Sequence, residues 1–131
     1  MITSSYCALI PLAIENNFTI AKLAELLSKR LPEYESESTT DRIVISQNEW
    51  TLNVVLDKGD WVNIEAKEMA KFYPDLPNIE SLKSSTQRID ISSYANDSEM
   101  EHFNTYLFVL EEIETFQGVL FEFDPRDAKT L

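Results

Sequence analysis

The run Arg42–Asp57, RIVISQNEWTLNVVLD, decides how the rest of the chain is read. Ile43 and Ile45 alternate with polar neighbours, and Trp50, Leu52, Val54 and Leu56 do so again beyond Gln47, Asn48 and Glu49. Period-two alternation on both sides of a short polar break marks an antiparallel hairpin, one face in the core and the other in water. Trp50 shares the Leu52, Val54 and Leu56 face and is assigned to the core.

Toward the C-terminus, Lys58, Gly59 and Asp60 break the strand. Val62, Ala66, Met69, Ala70 and Tyr73 then recur at helical spacing until Pro74, with Asp60 as the expected cap. Leu76, Ile79 and Leu82 predict a short helical turn. Thr86–Ser92 alternates again, with Ile89 and Ile91 pointing one way and Arg88 and Asp90 the other. Ser98 and Glu101 have the spacing of a capping box, which predicts a helix to about Phe116 with Met100, Phe103, Leu107, Leu110 and Ile113 as its core stripe and Gly118 as its stop. Val119–Phe123 reads as a final strand closed by Asp124 and Pro125, and residues 126–131 are expected to fray.

Toward the N-terminus, Glu33–Asp41 (EYESESTTD) is polar and acidic and reads as an exposed loop. Ile20, Leu23, Ala24, Leu27 and Leu31 define a helix capped by Thr19 and stopped by Pro32. Tyr6–Ile14 is apolar at both alternating sets of positions, as a strand near the sheet centre would be, with a bulge or early end at Pro11. The order strand-helix-strand-strand-helix-strand-helix-strand predicts a single α+β domain over residues 1–131, a mostly antiparallel sheet with helices on one face. Its first six elements match the split βαβ plan of a ferredoxin-like core.

Charge narrows the function. The chain of 131 residues has 11 Lys and Arg against 23 Asp and Glu, a net charge of −12. Such a field repels phosphate backbones and anionic lipid, so nucleic acid and membrane are disfavoured as partners and a basic protein is favoured. One cysteine, no apolar run near the ~20 residues of a membrane span, and no basic stretch opening Met1–Ile14 point to the cytoplasm.

No catalytic constellation is found. His102, the only histidine, lies beside Glu99 and Glu101 and reads as an exposed helix residue without a nucleophile or a second ligand. Cys7 sits in an apolar strand and reads as a buried thiol. Only Gly59 and Gly118 are present, so phosphate-cradling loops are ruled out, and neither a metal nor a cofactor is expected. The anomaly is electrostatic. Glu111, Glu112 and Glu114 crowd the C-terminal half of a helix, where the macrodipole favours cations. Glu33, Glu35, Glu37 and Asp41 form a second acidic cluster. Each reads either as a solvated face or as a carboxylate patch that meets a partner's lysines and arginines. Trp61, at a loop-to-helix junction, reads equally as core or as partner anchor.

Size, acidity and element order, together with the closing run HFNTYLFVLEEIETFQGVLFEFDP (residues 102–125), resemble the small cytosolic immunity proteins that protect bacteria from contact-dependent growth inhibition toxins and related polymorphic toxins. The resemblance implies a non-catalytic antitoxin that binds a cognate toxin domain, often a basic nuclease, and blocks its active site or substrate surface. On that reading Glu33, Glu35, Glu37, Asp41, Glu111, Glu112 and Glu114 supply charge, and Tyr34 and Trp61 supply aromatic anchors. Two rival classes remain open: a small ligand-binding domain or enzyme with a pocket lined by residues such as Tyr6, Trp61 or Tyr106, and an adaptor that binds a host protein through a sheet edge.

Overall fold

The computed structural model describes residues 6–125. In chain order its elements are β1 (Cys7–Leu12), α1 (Ile20–Arg30), β2 (Glu35–Ser38), β3 (Arg42–Gln47), β4 (Trp50–Lys58), α2 (Asp60–Phe72), α3 (Ile79–Lys83), β5 (Gln87–Tyr94) and α4 (Phe103–Glu114). The fold is α+β, with one five-stranded antiparallel sheet in the order β1-β5-β4-β3-β2. Every pairing is antiparallel, so the parallel strand pair of a split βαβ unit does not occur among them. The predicted hairpin is β3–β4, closed at Gln47↔Trp50. Its turn places Asn48 at φ 57, a left-handed conformation that asparagine tolerates better than most residues.

Alternation sorts the strands into two faces. Ile10, Ile43, Ile45, Leu52, Val54, Ile89 and Ile91 are fully buried on one of them, beneath Leu23 and Leu27 of α1 and Val109 and Ile113 of α4. The Thr19 side chain accepts from the Lys22 N–H and starts α1, as its sequence requires. The one-face arrangement holds for α1 and α4 only. Pro11 and Arg88 are register partners on the opposite face, and Val62, Ala66 and Met69 of α2 meet them there. Gly59 makes that reversal possible: at φ 122 it is the N-cap of α2, so Asp60 sits in the first turn and does not cap. Asn63 Nδ2 donates to the Lys83 and Ser85 carbonyls and fixes α2 to the chain entering β5.

Four further expectations are corrected. β1 is outermost in the sheet order, and its other edge is bonded by the returning C-terminal segment: Leu9 and Phe123 exchange N–H···O bonds of 2.7 and 2.9 Å, and Leu120 N–H donates to Pro11 O. β1 is apolar on both faces because Ala8, Ile10 and Leu12 enter the core while Pro11 lies against α2 on the other side. Pro11 is tolerated because its nitrogen lies on the same side as its carbonyl, facing the irregular segment, so the β5 ladder loses no donor. The expected strand Val119–Phe123 is only two isolated bridges, Leu9↔Phe123 and Leu12↔Val119. They are out of register with each other by one residue, which breaks the ladder and turns Leu120 and Phe121 toward Ala66, Ala70 and Leu82. The expected loop Glu33–Asp41 contains strand β2, whose Glu-Ser-Glu-Ser alternation has no apolar member to reveal it. Finally, α4 begins at Phe103 rather than at a Ser98–Glu101 box. His102 is the N-cap of α4 without a side-chain cap bond, Asp97 holds the turn before it by accepting from the Glu101 and His102 N–H groups, and Met100, at φ 56, is exposed. The expected fraying of 126–131 lies outside the described residues.

Candidate functional site

The face of the sheet opposite α1 and α4 carries the side chains between the buried positions, and the register lines them up in rows. One row runs Tyr94, Thr51, Ser46, Glu35, and the next runs Cys7, Ser92, Asn53, Val44, Glu37. Beyond them come Leu9, Asp90, Val55, Arg42, and then Pro11, Arg88, Asp57. At the spacing of a sheet, neighbours along a row are about 4.7–4.9 Å apart, so this is a mainly polar field, with short side chains at Ser46, Thr51, Asn53 and Ser92 and apolar ones at Leu9, Pro11, Val44 and Val55. Glu35, Glu37 and Arg42 are exposed and Tyr94 keeps 56% of its surface in solvent. Among the described residues, α2 meets this field at the Lys58 end of β4 and β5 and at Pro11 of β1. The field carries Glu35, Glu37, Asp57 and Asp90 against Arg42 and Arg88.

Its border toward α2 is tied by one arginine. Arg88 donates from Nε to Asp57 (3.1 Å) and from Nη1 to Glu65 of α2 (2.8 Å), and its guanidinium lies 4.9 Å from the Trp61 ring centroid. Burial opposes the Arg88 charge, but Glu65 and Asp57 outweigh it and hold the guanidinium above its ordinary pKa. Next to it Asp90 is pushed up, first by burial and then by Asp57, against the pull of Arg88.

The acidic run on α4 has a structural partner instead. Arg30, at the end of α1, donates from Nη2 to Glu111 (2.6 Å) and from Nη1 to Glu112 (3.1 Å), with its guanidinium 4.3 Å from the Phe108 ring centroid. Carboxylates at the unfavourable end of a helix are thus matched by a cation from the next helix, and Glu111 and Glu112 are not a free patch. Glu114 hydrogen-bonds Glu122 of the returning segment. Desolvation and that bond raise the Glu122 carboxyl to about 7.

Of the second cluster, Glu35 and Glu37 reach the open field. Glu33 stays outside it, its carbonyl accepting from Gln47 Nε2, and Asp41 pairs at 3.9 Å with Lys58. Tyr34 is half-buried. Its hydroxyl accepts from Thr105 Oγ1 (2.8 Å) and shares a 2.7 Å hydrogen bond with His102 Nδ1. That makes it a support of the core and not an exposed anchor. His102, expected in solvent, is 6% exposed and stacks on Trp50 with centroids 4.2 Å apart and planes 6° from parallel. The Trp50 Nε1 is buried without a hydrogen-bond partner among the described residues. The thiol of Cys7, expected to be buried, is half-buried and lies 3.4 Å from Asp124 Oδ1.

The residues offered as a ligand-pocket lining are divided between the two ends of the sheet. Tyr6 stacks on Tyr106 at 5.0 Å and bonds to Asp97, at the end of the sheet away from Trp61. Burial pushes Asp97 up, but donors from Tyr6, His102 and Glu101 bring it below the usual carboxylate range. Among the described residues no three His, Cys, Asp or Glu side chains gather as metal ligands, and no helix is long and apolar enough to cross a membrane. Of the site residues predicted from sequence, Glu35, Glu37 and Trp61 belong to the open field or its border. Asp57, Asp90, Asn53 and Tyr94 were missed, although their alternation against Leu52, Val54, Ile89 and Ile91 was the available signal. No known protein family, curated protein or solved structure matches the chain.

Proposed function

We propose that the chain is a non-catalytic immunity protein that binds a basic toxin domain, such as a nuclease, and neutralises it by covering its active site or substrate surface. The observation that carries this reading is the side of the sheet that the described residues leave largely uncovered, a polar field on which Glu35 and Glu37 are exposed, on a protein of net charge −12. A nuclease must present cations to phosphate, and carboxylates held on a rigid sheet compete for them and speed encounter by steering. Partner binding in the cytoplasm, without a cofactor, is part of the same proposal. The test is co-expression of the chain with a library of basic toxin domains under inducible control. Rescue of growth by one member, with a stoichiometric complex recovered from the rescued cells, supports the reading; rescue by none, with all toxins expressed, rejects it.

A further inference from the structure

The buried face of α2 is served by Val62, Ala66 and Ala70, yet the helix carries a second apolar stripe on its solvent side. Trp61, Ile64 and Phe72 are 45%, 62% and 68% exposed. At 100° per residue they fall within about 80° of one another, with Glu68 inside that arc and Glu65 at its border. An α-helix in a soluble domain needs one apolar stripe to pack, so a second one of three large side chains is a surplus that water disfavours. The stripe begins where the open sheet face ends, since Trp61 stands against Arg88, which bonds Asp57. The stripe therefore adjoins the polar field at Trp61, which sets large apolar side chains beside charge as in a protein interface.

We infer that this stripe is the apolar anchor of the docking surface, and that it seats in an apolar recess rimmed by lysine and arginine on the basic partner. The inference rests on the inhibitor reading and names how the partner is held. Charge selects the occupant. Glu65 and Glu68 are already paired, with Arg88 and Lys71, so the selection rests on the whole chain: a second copy would bring −12 against −12, whereas a basic partner meets that field with the opposite sign.

The probe is the basic toxin domain recovered by growth rescue, used with the full chain. Ile64→Asp and Phe72→Asp are measured beside wild type by calorimetric titration, with thermal midpoints to show that the exposed substitutions leave the fold intact. The expected result is a loss of affinity of roughly 30-fold or more for each, with unchanged midpoints. Wild-type affinity in both variants, while Glu35→Lys with Glu37→Lys weakens binding, overturns the anchor and leaves the inhibitor reading standing. Failure to recover any toxin domain is the failure of that reading instead, and the anchor falls with it. Sedimentation of the free chain is the second measurement: a wild-type dimer that Phe72→Asp dissolves into monomers also overturns the inference, because the stripe is then covered by a copy of itself.

Discussion

The two faces of the sheet are built from the same strands and do opposite work. On one, Leu52, Val54, Ile89 and Ile91 lie beneath α1 and α4 with no exposed surface. On the other, Thr51, Asn53, Asp90 and Ser92, each one residue away along the chain, have been left short and polar. β1 is the contrast that gives the rule: where the opposite face is covered, as at Pro11 beneath α2, it too is apolar. The polarity of β4 and β5 fits a second face that the described residues leave open, the face proposed to meet a partner.

The sharpest way to break this comparison is by truncation on each face. Leu52→Ala should lower stability by about 2–5 kcal/mol, since the cavity opens between sheet and helices, while Asn53→Ala next to it should change stability by no more than about 0.5 kcal/mol. Urea unfolding of both variants checks the pair, and a large loss at Asn53 would mean the second face is packed. Tyr34→Phe comes next. It leaves Thr105 Oγ1 and His102 Nδ1 without their shared hydroxyl in a half-buried site and should cost about 1–3 kcal/mol, with binding of the partner unaffected.

A smaller effect concerns pH. The Glu122 carboxyl is raised to about 7 from an ordinary 4.5, so the folded state holds its proton where the unfolded chain has released it. The destabilisation is complete above pH 7 and is relieved as pH falls toward 4.5, so stability should rise over that window. Glu122→Gln should flatten the rise, as read from the thermal midpoint against pH, and an unchanged profile would remove the Glu114–Glu122 pair as its source.

How much of this was legible in the sequence follows from which signals are local. The hairpin, α1, α2 and β5 were read correctly because each has a burial period of its own. β2 was invisible because an all-polar edge strand owes its conformation to the ladder with β3. The acidic run on α4 was legible as an anomaly but not as what it is, since its cation, Arg30, arrives from 81 residues away. His102 was misjudged for the same reason: Trp50 and Tyr34, which stack on it and bond to it, reach it only in the fold. The open face was written in the alternation all along, but it becomes a surface only when the register aligns Glu35 with Thr51 and Tyr94.

The central claim is that the open face and its border, not the α4 acids, meet the partner. The direct test is the association rate of the rescuing toxin domain, measured against salt, for Glu35→Lys with Glu37→Lys and for Glu111→Lys with Glu112→Lys. The account predicts slower association and a flatter salt dependence for the first pair and a near wild-type rate for the second, whose carboxylates are already matched by Arg30. Slowing by the α4 pair alone would contradict it and move the interface to the other side of the molecule.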